Sequence, residues 1–493
     1  MNAPVHVAVR TLILAVAVAG ACATMTDAVA AEPPVHAPQL ACTALVGREF
    51  YNVAVTAAMD VPASGALPAY CRVSGHEAGT DHDLEVRLPV RWRGRYVQRG
   101  GGGFDGSIAP AASAPAALQL GAAQGVNNGG HRDRSGAALL NDPRATERYA
   151  HTAILTATRF GKAVTQAYYG AAPAHAYYEG CSNGGRGALN AAAKYGSEFD
   201  GVVAMAPTLN MMGIVPAMTR FGALALPDNQ QFAAVHAAAV AKCDALDGAR
   251  DGIVSNWQAC RVDPARDLPA SIGLSPQQVE ALRVLWSDQR RADGSVSYSG
   301  LGFGDLSEGA AIYSRFGLGH LRFVVFNDAQ WSPRAGGIDE QRDLPAIRAV
   351  IEGRYQFSAS VSGLAQYLRD GKKLLVWHGA DDPILSHRDT IRTWADVAAA
   401  AGAQAARANS RLYIAPGVAH CGGGEGADSA ELLSTMMQWV EAGKAPGTLV
   451  ASKLEPGTGK VRFTRPLCEY PRWPRYDGRG DINRAGSFAC VAD

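Results

Sequence analysis

No surplus of charge of either sign marks this sequence: 46 Lys and Arg stand against 45 Asp and Glu, a formal net charge of +1. Without a field of one sign, the chain does not concentrate nucleic acid or an anionic membrane, so polyanion binding is set aside. Long apolar runs are missing too. The apolar run at 12–19 is well short of the ~20 residues that span a bilayer. No internal repeat is apparent, which argues against solenoids and propellers. No two cysteines have the close Cys-x-x-Cys spacing of a zinc site.

What the N-terminus does contain reads as an export signal. Arg10 lies in a short basic start, the apolar run follows, and small residues including Ala28-Val29-Ala30 precede Ala31. Residues 1–31 are therefore expected to be absent from a mature protein that is secreted or periplasmic. Cys22, after Ala19-Gly20-Ala21, raises a lipid-modified cysteine as the alternative, disfavoured because Ala19 is not the usual larger aliphatic residue. Setting Cys22 aside, eight of the nine cysteines remain: Cys42, Cys71, Cys181, Cys243, Cys260, Cys421, Cys468 and Cys490. An even number in an oxidising compartment reads as disulfides rather than buried free thiols.

At 493 residues the chain has length for roughly two to three folded units. Short strands are expected at 84–89 and 96–98, on either side of a turn at Arg93-Gly94, the second running into four glycines at 100–103. A helical pattern at 146–169, a strand at 176–179, an Ala-rich helix from Gly187 and a strand at 202–205 follow. After Pro207 this rhythm breaks. It returns with a helix at 362–369 and strands at 373–377 and 412–414. Alternation on both sides of an irregular stretch argues for an α/β sheet carrying a lid. The expected organisation is core at 32–207, lid at 208–360 and core again at 361–493.

Gly180-Cys181-Ser182-Asn183-Gly184 stands where a strand gives way to a helix. That is the context a nucleophilic serine needs, because it sits on a strained turn that flanking glycines let the neighbouring backbone tolerate. An ordinary glycine turn is the bland alternative. A serine hydroxyl needs a base, and the base needs an orienting group. In the α/β-hydrolase fold the order along the chain is serine, acid, histidine. Asp382 follows the strand at 373–377, and His420 follows the strand at 412–414, both where the carboxyl edge of a sheet would present them. Asp381, beside Asp382, is an alternative acid that the residues alone leave open. Cys181 directly precedes Ser182 and Cys421 directly follows His420. A disulfide between them would hold nucleophile and base within the reach that proton transfer requires.

The oxyanion of a tetrahedral intermediate needs backbone donors. One expected donor is the N–H of Asn183. The other is expected from the glycines at 100–103, at Gly102 or Gly103, with a flexible surface turn as the alternative reading of that loop.

Cys181-Ser182, Asp382 and His420-Cys421, with Gly184-Gly185-Arg186, Trp377-His378-Gly379 and Asp382-Pro383, resemble the motifs of the tannase and feruloyl esterase family. The resemblance runs from about Cys42 to Cys490 and favours Asp382 as the triad acid. It implies an α/β-hydrolase fold with a large inserted lid domain, and a serine esterase acting on galloyl, feruloyl or related hydroxycinnamoyl esters, or on the mono(2-hydroxyethyl) ester of terephthalate. A small aromatic ester is the implied substrate. Phe316, Phe323, Phe326, Trp331 and Tyr355 are candidates for the aromatic wall of the pocket, with packing inside the lid as the alternative.

Asp244, Asp247 and Asp251 crowd three carboxylates into eight positions, which alone reads as an Asp-Gly turn as readily as a metal site. The family resemblance implies a structural Ca2+ held by Asp244, Asp247, Asp251 and the carbonyls of Ala249 and Ile253, clamped by Cys243 and Cys260. The remaining cysteines suggest Cys42 with Cys71 and Cys468 with Cys490. A competing function from another class is a calcium-dependent binding protein on a hydrolase scaffold that has lost catalysis. It is weakened because no triad residue is missing.

Overall fold

The computed structural model describes Met1 and residues 33–334, 337–339 and 341–492; the export signal expected at 1–31, Cys22 included, lies outside the described residues apart from Met1. In chain order the strands are β1 (Glu49–Phe50), β2 (Val53–Val61), β3 (Tyr70–Glu77), β4 (Asp83–Pro89), β5 (Arg95–Arg99), β6 (Ala122–Asn127), β7 (His175–Cys181) and β8 (Gly201–Met205). A long excursion over residues 206–372 follows, with a short hairpin of β9 (Gln289–Arg290) and β10 (Val296–Tyr298). The chain then re-enters the sheet as β11 (Lys373–Gly379) and β12 (Ser410–Ala415).

Ten of these strands form one sheet in the order β1-β2-β3-β4-β6-β5-β7-β8-β11-β12. Every pairing from β6 across to β12 is parallel, whereas β1 to β4, and β4 with β6, pair antiparallel. Parallel strands need cover on both faces, which is why they read as continuous apolar runs. On one face Val202, Leu374, Val376 and Leu412 pack against Leu189, Leu364 and Leu368. On the other, Val203, Leu375, Trp377 and Tyr413 pack against Met436, Met437 and Trp439. Successive residues of β11 thus serve opposite faces, as the two-residue period of a strand dictates.

Two details go beyond what the residues led one to expect. The turn at Arg93-Gly94 does not make neighbours of β4 and β5, because β6 lies between them, antiparallel to one and parallel to the other. The helix expected at 146–169 starts earlier and is interrupted. Asp142 caps Pro143–Glu147 by accepting from Ala145 N–H, a widened π turn occupies Arg148–Thr152, and the helix resumes over Ala153–Tyr169. Wide turns release carbonyls from the helical ladder. Here those of Tyr149 and Ala150 accept from Arg186 instead.

The excursion is mainly helical, with Met211–Phe221, Asn229–Cys243, Pro276–Trp286 and Ser307–Gly319 as its longer helices. Asp228 with Gln231, and Ser275 with Gln278, form capping boxes that start the second and third. Its apolar residues close over two core loops. Phe221, Trp286 and Tyr313 pack with Ile384 and Leu385, while Leu321 and Phe357 pack with Phe104 and Tyr149. Residues Pro34–Asp493 consequently make one compact unit. Disulfides join Cys42 to Cys71, Cys181 to Cys421, Cys243 to Cys260 and Cys468 to Cys490, with Cα separations of 5.6, 5.9, 5.5 and 5.7 Å.

Tyr96, fully buried on β5, donates its hydroxyl to Gln98 Oε1 at 2.6 Å, and Gly161 leaves it room: a Cβ there would lie 2.0 Å from the phenol oxygen. Helix propensity alone would make Gly161→Ala stabilising by about 1 kcal/mol. The steric demand wins, and the substitution is expected to destabilise by about 1–3 kcal/mol. Urea unfolding reads the sign directly, and an unchanged or raised midpoint would contradict this packing.

Candidate active site

β7 ends at Cys181, and the helix Asn183–Tyr195 begins one residue after Ser182. Ser182 between them has φ +60° and ψ −124°, a conformation that side chains other than glycine rarely adopt. Its backbone is held in place on both sides. Ser182 N–H donates to Met205 O at 3.1 Å, and its carbonyl accepts from Arg186 N–H at 3.0 Å and Thr208 N–H at 3.2 Å. The motif glycines let a second loop approach: a Cβ on Gly100 would lie 2.6 Å from Gly184 Cα, and one on Gly184 would lie 2.5 Å from Gly101 O. The serine turn and the glycine loop therefore touch backbone to backbone.

Asp382 sits in the loop after β11 and is fully buried. Its Oδ1 accepts from Ile384 N–H at 2.8 Å and Leu385 N–H at 2.9 Å. Its Oδ2 is shared by two imidazoles, His420 through Nδ1 at 2.7 Å and His378 through Nε2 at 3.0 Å. Burial pushes this carboxyl up, but the charges and hydrogen bonds of His420 and His378 outweigh burial and hold it well below the usual carboxylate range. His420 responds in the opposite sense: burial pushes it down, and the charge and hydrogen bond of Asp382 prevail and raise it. Asp381 turns elsewhere. It lies with His236 in a separate small cavity, where burial raises its carboxyl.

His378 carries no assigned role in the sequence reading. Its Nδ1 meets Thr390 Oγ1 at 2.8 Å, so both ring nitrogens are engaged and the ring is wholly buried. The signals for it were its place in the Trp377-His378-Gly379 motif at the carboxyl end of β11 and its spacing four residues before Asp382.

Ser182, His420, Asn183 and Gly103 line one cavity of about 220 Å3, while Gly102 is exposed outside that lining. Asn183 opens its helix, and the first N–H groups of a helix have no intrahelical partner. Met211, Ile214, Val215 and Met218 supply much of the apolar wall from one helix. Their spacing of three, four and seven was a legible amphipathic stripe in the sequence. Of the five aromatic candidates, Phe316 reaches the cavity. Phe323, Phe326, Trp331 and Tyr355 lie outside that lining, in the cluster the excursion shares with Phe104 and Tyr149, with Phe326 stacked on Trp331 at 4.3 Å.

At the acidic loop, Asp244 Oδ1 accepts from the N–H groups of Asp251 and Gly252, and Asp247 accepts from those of Ala249 and Ser255. Asp251 accepts from Ile253 N–H and pairs with Arg465. Burial raises the carboxyls of Asp244 and Asp247, and the charge of Asp251 raises both further. Among the described residues, no group of three or more His, Cys, Asp or Glu side chains is arranged to hold a metal ion.

Comparison with known proteins gives one family. The family model described as tannase and feruloyl esterase matches residues 71–313 and 346–491. A mono(2-hydroxyethyl) terephthalate hydrolase from Piscinibacter sakaiensis is 30% identical, over 88% of this chain and 87% of its own length. A probable feruloyl esterase from Arthroderma benhamiae is 31% identical, over 82% and 81% respectively. The crystal structure of an esterase from Aspergillus oryzae superimposes with a TM-score of 0.81 at 26% identity, covering 91% of this chain and 99% of that one. With an α/β fold whose loops gather a serine, an aspartate and a histidine at one sheet edge, the chain belongs to the tannase and feruloyl esterase family of carboxylic ester hydrolases.

Proposed function

We propose that this protein hydrolyses esters of uncharged aromatic acids, of the hydroxycinnamoyl or galloyl type, through an acyl-enzyme on Ser182. The observation that carries this reading is the Asp382–His420 pair facing the same apolar cavity as Ser182. Because His420 Nδ1–H donates to Asp382, its Nε2 is free of a proton and serves as the base. Ser182 Oγ attacks the ester carbonyl while its proton passes to Nε2. The N–H groups of Asn183 and Gly103 take up the negative charge on the carbonyl oxygen. Collapse breaks the ester C–O bond, and the departing alcohol leaves with the proton from His420. A water molecule then repeats the sequence on the acyl-enzyme, releasing the acid. The excursion acts as a lid by forming the acyl wall, and the four disulfides support export to an oxidising compartment.

Charge favours the neutral acids over a terephthalate monoester, whose acyl group bears a free carboxylate. Two histidines, His420 and His320, line the cavity, and burial pushes His320 down to about 4 and so keeps it neutral; the permanently cationic side chain on the wall is Arg186, and it is buried. Four of its five N–H donors are already engaged: Nε with Asn183 Oδ1, Nη1 with the carbonyls of Ala150 and Phe357, and Nη2 with that of Tyr149. A carboxylate entering this cavity would lose its water and find a single unengaged Arg186 N–H in place of a bidentate guanidinium partner.

We also propose a structural Ca2+ at the acidic loop, held by Asp244, Asp247, Asp251 and the carbonyls of Ala249 and Ile253. The crowding of raised carboxyls supports it, since a hard cation relieves that repulsion, and two of its oxygens would come from the backbone rather than from side chains.

Three measurements test these readings. On methyl ferulate, methyl p-coumarate, methyl gallate and mono(2-hydroxyethyl) terephthalate, the neutral esters are expected to show the higher kcat/KM and Ser182→Ala to abolish turnover; a preference for the terephthalate monoester would overturn the charge argument. Next, kcat/KM is expected to rise with pH as His420 loses its proton, with a midpoint above the ordinary imidazole value of about 6.5. In Asp382→Asn that midpoint should fall and kcat should drop about 10^4-fold, whereas a midpoint that does not move would remove Asp382 from the mechanism. Finally, chelation is expected to lower the melting temperature, and unchanged melting with no metal in elemental analysis would sink the calcium site.

A further inference from the structure

Asp105 has no place in the triad, yet it bonds Asn183, one candidate oxyanion donor, and the glycine loop that carries the other. Its backbone N–H donates to Gly102 O at 2.8 Å and so closes the glycine loop around Gly103. Its carboxylate Oδ1 accepts from Asn183 Nδ2, also at 2.8 Å. From there the bonding continues. Asn183 Oδ1 accepts from Arg186 Nε at 2.8 Å, Arg186 Nη2 donates to Tyr149 O at 2.8 Å, and the Tyr149 hydroxyl donates to Gly103 O at 2.9 Å. The path closes on the loop where it began.

The carboxylate is wedged in its slot. A Cβ on Gly129 would lie 2.5 Å from both Cβ and Oδ2 of Asp105, and one on Gly101 would lie 3.1 Å from Oδ1. Asp105 itself has φ +49°, a strained setting for a residue with a side chain, and such settings persist where the surroundings over-determine them. Burial pushes its carboxyl up to about 6, with the Asn183 hydrogen bond and the charge of Arg186 pulling it back, so above that pH it is an acceptor for Asn183.

On the serine mechanism above, we propose that Asp105 is a positioning residue of the oxyanion hole, setting the spacing between the Asn183 and Gly103 N–H groups by gripping both sides at once. Donors stabilise an oxyanion because they are fixed before the charge develops. Loosening the grip should therefore weaken the transition state and leave ground-state binding alone.

The test compares wild type, Asp105→Ala, Asp105→Asn, Asn183→Ala and the Asp105→Ala/Asn183→Ala double variant on a p-nitrophenyl ester. Inhibition by an aryl trifluoromethyl ketone, which adds the serine oxygen and becomes an oxyanion, provides the second readout. Asp105→Ala is expected to lower kcat about 10- to 100-fold with KM held within about twofold, and to weaken the ketone by the same factor as kcat. Asp105→Asn, whose amide oxygen still accepts from Asn183, should regain most of both. The double variant should be no worse than the poorer single one, because both break one contact.

Wild-type kcat in Asp105→Ala, lost kcat with unchanged ketone affinity, or additive single losses would each overturn the proposal. If Asp105→Ala does not fold, Asn183→Ala decides alone: it keeps the backbone donor and loses the brace, so wild-type kcat and ketone affinity there also overturn it. A wild type inactive on every ester, or a Ser182→Ala variant as active as wild type, would instead overturn the serine mechanism, and this proposal with it.

Discussion

A serine at the end of β7 and a histidine beyond β12 must meet, although β8 and β11 lie between those strands in the sheet. At roughly 4.8 Å per neighbour, their strand axes are about 14 Å apart. The loop after β12 has to travel back across two strand ends, and the Cys181–Cys421 bond fastens it there with Cα atoms 5.9 Å apart. Gly379 makes the crossing possible, because a Cβ at that position would lie 2.2 Å from Val418 O. Asp382 rises from the strand in between, and its position is meaningful only once the loop has come over it. The site is therefore a closure problem first and a chemical one second.

The electrostatics follow from that closure. A fully buried carboxylate is tolerated when its oxygens are supplied with donors, and Asp382 has two amides on one oxygen and two imidazoles on the other. The amide donors belong to Ile384 and Leu385, whose side chains pack in the apolar cluster of the excursion. Packing of the excursion and orientation of the Asp382 carboxylate are thus one arrangement seen from two sides. His378 completes it from below, wholly buried and bonded to Thr390.

Features carried by local chemistry were legible in the residues. The pentapeptide around Ser182, the apolar runs of β7, β8, β11 and β12, and the glycine loop each declare a backbone requirement over a handful of positions. What depends on distant partners was not legible. β6 inserts between β4 and β5 because of a crossover no local pattern records. His378 stood in a motif of the resemblance, but its bond to Asp382 exists only once the loop carrying Asp382 folds back onto it. The excursion gave no alternation to read because it is built mainly of helices, and four of its aromatics went to the cluster it shares with Phe104 and Tyr149. Asp105 shows no local sign of its bond to Asn183, which lies 78 positions away.

The stripe of Met211, Ile214, Val215 and Met218 belongs to a helix that begins a few residues after β8, whose last carbonyl already holds the serine turn. The shape of the cavity is therefore separable from the bonding around Ser182, Asp382 and His420. Methionine and branched aliphatic side chains can exchange volume along one helical face, reshaping the cavity, without disturbing a hydrogen bond of Ser182, His420 or Asp382.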